Sequence, residues 1–157
     1  FLKEMEKTLL EANDPKGVGL AAPQVGKLFS IFIAKPTEKS RISVFINPRT
    51  IEFDQNPNSP NLPSRPKKRV RKLEGCLSLP SIWGEVKRSP VVVLSYFDQK
   101  GVQKTKKFTG FMATIVQHEV DHLHGVLFPR RVLEQKGKLY KSSKNKKGED
   151  EFDELEI

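Results

Sequence analysis

The stretch TGFMATIVQHEVDHLHG, residues 109 to 125, sets the frame for reading the rest of the chain. Phe111, Ile115, His118 and His122 recur at intervals of three and four, the period of one helix face, with Met112, Val116 and Leu123 beside them. Thr109 can cap the start of such a helix and Gly125 can end it. Two imidazoles on an apolar stripe are costly unless polar groups meet them. The pattern therefore predicts a helix packed inside the fold, with its two histidines favoured as a pair of metal ligands.

Upstream of this helix, Val91 to Phe97 reads as a strand, Asp98-Gln99-Lys100-Gly101 supplies turn chemistry, and a second strand runs through Phe108, which together make a hairpin. Earlier strands are expected near 28–34 and 43–47, with a further one at Thr50-Ile51-Glu52-Phe53. Leu2, Met5, Glu6, Leu9 and Leu10 keep helical spacing up to Asn13-Asp14-Pro15, a helix stop. Residues 54 to 72, DQNPNSPNLPSRPKKRVRK, carry four prolines and a basic cluster and read as an exposed loop. Beyond Leu133 the chain turns to Lys, Ser, Gly and acid. Residues 1–140 are expected to form one catalytic domain, and residues 141–157 a disordered charged tail.

At 157 residues the chain suits a single core. No apolar run approaches the ~20 residues of a membrane span. The N-terminus shows no signal pattern, and the chain opens at Phe1 without an initiator Met, so targeting is open from this end. The net charge of +9 is unevenly spread, because Glu149, Asp150, Glu151, Asp153, Glu154 and Glu156 crowd the end. Such a balance suits an anionic partner, yet no recognition helix or aromatic-basic motif accompanies the lysines. A single cysteine, Cys76, excludes an internal disulfide framework and suits a reducing compartment.

Within QHEVDH, His118 and His122 are four apart, about 6 Å along a helix axis on one face, so both can offer nitrogens to one metal ion. Glu119 then lies beside the ion's open position. A catalytic site needs a third protein ligand. The extended pattern H-E-x-x-H-x-x-G-x-x-H fails at its last position, which is Phe128. His124 points away from the face, and Glu134 and the acidic tail lack a packed helical context. Cys76, in EGCLSLP at 74–80 with Gly75 allowing a close approach, is the strongest remaining candidate. Two imidazoles and a thiolate suit Zn²⁺ or Fe²⁺ better than a hard cation.

GVGLAAPQVG, residues 17 to 26, fits the spacing of a dinucleotide-binding loop, but a helix precedes it, and Pro23 and a strand follow, the reverse of what that loop needs. Taken in order, GVGLAAPQ, EGCLSLP and QHEVDHLHG resemble the three signature motifs of peptide deformylases, over roughly residues 1 to 133. The resemblance implies an α+β fold, with antiparallel and mixed sheets around a central metal-binding helix. It implies Fe²⁺, replaceable by Zn²⁺ or Ni²⁺, and removal of the N-formyl group from nascent chains that begin with formyl-methionine. By motif position, the Gln24 amide and the Leu77 backbone N–H hold the developing oxyanion. Val18 and Gly19 offer backbone groups to the peptide. Val18, Phe111, Thr114 and Ile115 wall the methionine pocket, the last three lying one or two turns before His118. Glu119 takes a proton from water and returns it to the departing amine. Glu74 and Arg88 pair behind the cysteine segment, with Gln117 in support.

Two other classes stay open at this level: an HExxH zinc endopeptidase, and an RNA-binding protein with a structural metal. A deformylase meets chains leaving the ribosome, so weak, salt-sensitive ribosome association through Arg65, Lys67, Lys68, Arg69, Arg71 and Lys72, with Lys136 to Lys147, is a further expectation. The compartment is the cytoplasm for a bacterial chain, with an organelle as the alternative.

Overall fold

The structure, a computed structural model, describes residues 1–13, 15–54 and 73–156. The expected proline-rich basic loop, with its 65–72 cluster, lies outside the described residues. Helix α1 (Leu2–Glu11) buries Met5 and Leu9, one turn apart, and exposes its other face. Strand β1 (Gly19–Ala21) leads into a 3-10 turn at Ala22–Val25, with Pro23 in its first turn and Gly26 ending it at φ 75°. Strands β2 (Ile31–Ala34), β3 (Ser43–Asp54), β6 (Val91–Phe97) and β7 (Gln103–Thr109) complete a five-stranded sheet in the order β1-β2-β3-β6-β7. Strands β4 (Leu73–Cys76), β5 (Leu79–Glu85), β8 (Leu139–Lys144) and β9 (Asp150–Glu154) form a second sheet in that order. Every strand pair in both sheets is antiparallel, within the antiparallel and mixed arrangement expected.

Helix α2 (Gly110–Leu123) packs on the larger sheet against β1, β2, β6 and β7. Its Ala113 and Val116 meet Phe32, Phe45, Val92 and Leu94, all at most 1% exposed. Phe32 and Phe45 stack with centroids 4.4 Å apart. Each such ring or branched side chain contributes roughly 1.5–3 kcal/mol by leaving water. Thr109 occupies the cap position, but its side chain makes no capping bond; Gly125, at φ 70°, follows the helix end as expected. Helix α3 (Phe128–Glu134), absent from the sequence reading, opens with Pro129 in its first turn and lays Phe128 and Val132 on the second sheet beside Cys76. Only seven residues long, it shows too few turns for a period to be legible.

Two expected strands, 43–47 and 50–53, are one strand, β3, whose ladder to β6 shifts register at Asn47-Pro48 and again at Ile51. The strand expected near 28–34 begins only at Ile31; Leu28 is 94% exposed. The tail expected to be disordered from 141 to 157 instead forms, up to Glu154, the hairpin β8–β9, so the boundary placed at 140 falls inside a strand. Its stability comes from pairings invisible to composition. Tyr140 pairs with Trp83 on β5 and is buried, its hydroxyl donating to Glu85 at 2.9 Å. The tail's acids answer its lysines across the hairpin, Lys138 with Glu154 at 2.7 Å and Lys144 with Asp150 at 2.6 Å. Strand β7 exposes Lys104, Lys106 and Lys107 and ends the larger sheet, where charge discourages pairing with another chain. Among the described residues no helix is long and apolar enough to cross a membrane.

Candidate active site

Three elements converge on one point. Strand β4 ends at Cys76, α2 supplies His118, Glu119 and His122, and the 3-10 turn supplies Gln24. Cys76 Sγ lies 3.2 Å from His122 Nε2, and His122 Nε2 lies 3.1 Å from His118 Nε2. The three ligand atoms fall within 4.8 Å of one another, and all three residues are buried, the one such metal-competent group among the described residues. Donors about 2.0–2.3 Å from a common tetrahedral ion would stand roughly 3.3–3.6 Å apart, so the set matches a borderline-soft divalent cation.

The electrostatics agree with that fit. Burial would push the Cys76 thiol up, but hydrogen bonds with His118 and His122 outweigh it and bring it down to about 5. Burial would push His118 down, but Cys76 and Glu74 raise it to about 10. Both shifts run in one direction: the surroundings of Cys76 favour its thiolate, and the acidic neighbours of His118 favour positive charge beside it, the polarity a cation site needs. Burial raises Glu119 to about 7, more than the neighbouring imidazoles lower it. Glu119 Oε2 is the buried side-chain atom that has no hydrogen-bond partner among the described residues. A buried carboxylate with a spare oxygen beside a candidate cation site calls for a proton donor that the described residues do not supply.

Behind the ligands runs a chain of ion pairs. His118 Nδ1 is 3.0 Å from Glu74 Oε2, which fixes the tautomer that leaves Nε2 free for a metal. Arg88 grips Glu74 with two bonds, at 2.8 and 3.0 Å, and donates to Asp121 at 2.6 Å. Arg131 of α3 grips the same Asp121 at 2.7 and 3.1 Å. Burial alone would raise Glu74 and Asp121; their partners reverse it and hold both below the usual carboxylate range. The pairing of Glu74 with Arg88 follows the expectation. Asp121 and Arg131 were missed, although Asp121, between the two histidines, was in plain view; ten residues of separation hid Arg131.

A cleft of about 1210 Å³ opens beside this cluster. Gln24, Cys76, His118 and Glu119 lie in its wall, with Val18, Gly19 and Leu77 close by. Phe111, Thr114 and Ile115 line it from α2; Phe111 is exposed, whereas Ile115 is shared with the core. His122 sits behind the wall, 5% exposed. The Gln24 amide is oriented: Ala21 N–H donates to Oε1 at 2.8 Å, and Nε2 points to Ser78 Oγ at 3.0 Å and Cys76 Sγ at 3.6 Å. Gly19 has a reason that the sequence did not disclose, since a Cβ there would stand 2.3 Å from Glu119 Oε1. His124 bonds to the Val120 carbonyl, away from the cluster, and Phe128 lies along the His118 ring with centroids 6.2 Å apart.

The polypeptide deformylase family model matches residues 1–138. The chain belongs to the polypeptide deformylase family. It is 36% identical over 149 residues to the peptide deformylase of Borreliella burgdorferi, an alignment covering 94% of this chain and 83% of that protein. It is 41% identical over 138 residues to the peptide deformylase of Rhodopirellula baltica, covering 85% of this chain and 62% of that longer protein. The crystal structure of peptide deformylase from Thermus thermophilus superposes with a TM-score of 0.69 at 35% identity, over 85% of this chain and 71% of that one. The family match ends at residue 138, one before β8 begins, so the β8–β9 hairpin lies outside the residues it covers.

Proposed function

We propose that the cleft removes the N-formyl group from peptides beginning with formyl-methionine, by hydrolysis at the Cys76, His118 and His122 cluster. The observation that carries this reading is the unpartnered, buried Glu119 carboxylate beside a thiolate–imidazole set within one cleft. A divalent ion bound there supplies Lewis acidity and lowers the pKa of water. The donor set and the family resemblance favour Fe²⁺, with Zn²⁺ or Ni²⁺ as replacements.

Glu119 takes the proton of the attacking water on its spare oxygen and later gives it to the departing amine. Its affinity near neutrality suits both directions of transfer. Gln24 Nε2, held by the Ala21 N–H through the other end of its amide, and the Leu77 N–H receive the oxygen that becomes negative. Val18 and Gly19 align the peptide along β1. Phe111, Thr114 and Ile115 enclose the methionine side chain.

The test uses anaerobically purified, metal-loaded protein and a formyl-Met peptide with a blocked C-terminus. Stoichiometric formate with internal bonds intact is expected. Internal cleavage without formate would make the chain an endopeptidase instead. Glu119→Gln should keep its metal and lose at least ~10²-fold in kcat.

The reaction belongs where new chains leave a bacterial-type ribosome, in a bacterial cytoplasm or an organelle. Weak ribosome association rests on the basic charge. Lys138 and Lys144 are already paired with acids of β9, so the contribution from this region falls to the remaining lysines. Association that stays unchanged between ~50 and ~200 mM salt would count against it.

A further inference from the structure

Between β5 and β6 the chain passes through Val86–Ser89, which belongs to no strand. The polar groups of such a half-buried connector need partners. Two glutamines from two different helices supply them. Lys87 N–H donates to Gln135 Oε1 at 2.7 Å, and Gln135 Nε2 donates back to the Lys87 carbonyl at 3.1 Å. Two residues on, Ser89 N–H donates to Gln117 Oε1 at 3.0 Å, and Gln117 Nε2 donates to the Ser89 carbonyl at 2.9 Å. Residues two apart in an extended chain present both backbone groups to the same edge, as in an antiparallel ladder. The two amides therefore stand where a neighbouring strand would.

The residue between the two clamps is Arg88. Its guanidinium joins Glu74 to Asp121, and Glu74 in turn meets His118 Nδ1. Each of these contacts is already 2.6–3.0 Å long, so a shift of the connector has to be passed along the chain of ion pairs rather than absorbed by slack. Both helices grip this junction twice. Helix α2 holds it through Gln117 and Asp121. Gln135, capping the C-terminal end of α3, holds it together with Arg131, which binds Asp121 from the other side. Gln117 has no freedom left, because its second amide hydrogen goes to the Ala113 carbonyl at 2.8 Å.

We propose that Gln117 and Gln135 are positioning residues for the metal set: by clamping the backbone on either side of Arg88, they fix its guanidinium, through it the Glu74 carboxylate, and so the ring of His118. The inference rests on Cys76, His118 and His122 as the ligands and on no assumption about substrate. Its test therefore stands apart from the formate assay.

The experiment loads the full chain with Co²⁺ and follows three things: the visible d–d bands, the rate at which a chelator strips Co²⁺ from the folded protein, and the Tm. Gln135→Ala, the change most remote from the ligands, should speed release about 10-fold, the lower end for loss of support behind a ligand, and shift the bands. Gln135→Glu keeps the acceptor for Lys87 N–H and loses the donor, so its release rate should fall between wild type and Gln135→Ala. In an Arg88→Lys background, which retains the charge but not the two-pronged grip, Gln135→Ala should add less than about 2-fold, because its effect travels through that grip. A glutamine that merely stabilises the fold would lower Tm and leave release and spectrum unchanged, or would act additively with Arg88→Lys. Either result overturns the proposal.

Discussion

Replacing Gly19 with alanine sets a methyl group against the Glu119 carboxylate, the group proposed to carry the proton. The new Cβ would stand 2.3 Å from Glu119 Oε1, 2.8 Å from Cδ and 3.0 Å from Cγ, where ordinary contact begins near 3.4 Å. The carboxylate must retreat by about 1 Å. It cannot do so freely, since Glu119 is 3% exposed and sits between the imidazoles and the core. A 1 Å misplacement of a reacting group costs up to ~10²-fold in rate, or about 2.7 kcal/mol of barrier. Gly19→Ala should therefore lose on the order of 10²-fold in kcat for a formyl-Met peptide. It should keep stoichiometric metal, because Glu119 is not among the three proposed ligands. The control is Glu119→Asp, whose shorter side chain leaves room for the methyl group. In the double variant, the alanine should cost less than ~5-fold beyond Glu119→Asp alone, a coupling expected only of residues in contact. Full activity in Gly19→Ala, or two costs that multiply, would refute the reading of Gly19 as the space reserved for Glu119.

Cys76→Ser exchanges a soft thiolate for a hydroxyl and should release metal faster or change which metal is retained, measured by elemental analysis after dialysis; a variant with unchanged metal and activity would remove Cys76 from the ligand set. Gly84→Ala places a methyl group 2.6 Å from Val132 Cγ2 and 2.9 Å from Phe128 Cε2, so overpacking should lower stability by about 1–3 kcal/mol in urea unfolding. If β8 and β9 pair as described, the amides of Lys141 and Ser143, which face β9 in the register that pairs Asn145 with Glu149 and Leu139 with Leu155, will show hydrogen-exchange protection well above a random chain; exchange at intrinsic rates would restore the disordered tail. Phe152→Ala removes the edge-on contact with Trp83, 5.8 Å between centroids, and should cost about 0.5–1.5 kcal/mol beyond its buried area.

Local pattern determined most of the candidate cluster. The spacing of His118, Glu119 and His122 is a helical fact, and the i, i+4 rule puts both imidazoles on one face wherever that helix packs. The β6–β7 hairpin was legible for the same reason, its turn chemistry lying between two apolar runs. Cys76 needed an argument from what else was missing, and Gln24 and Leu77 came only from resemblance to a family, since no period in the chain points them at a metal. What the tertiary structure decided are relations between distant segments. Arg131 and Asp121 meet because α3 folds back on α2, Gly19 is bare because Glu119 occupies its side-chain space, and Gln117 and Gln135 act as a strand because a connector lacks one. The tail shows the limit most clearly. Composition weighs its few apolar residues against many charges and finds no core, but Tyr140 and Phe152 need only the existing surface of β5, and the charges need only each other across a hairpin.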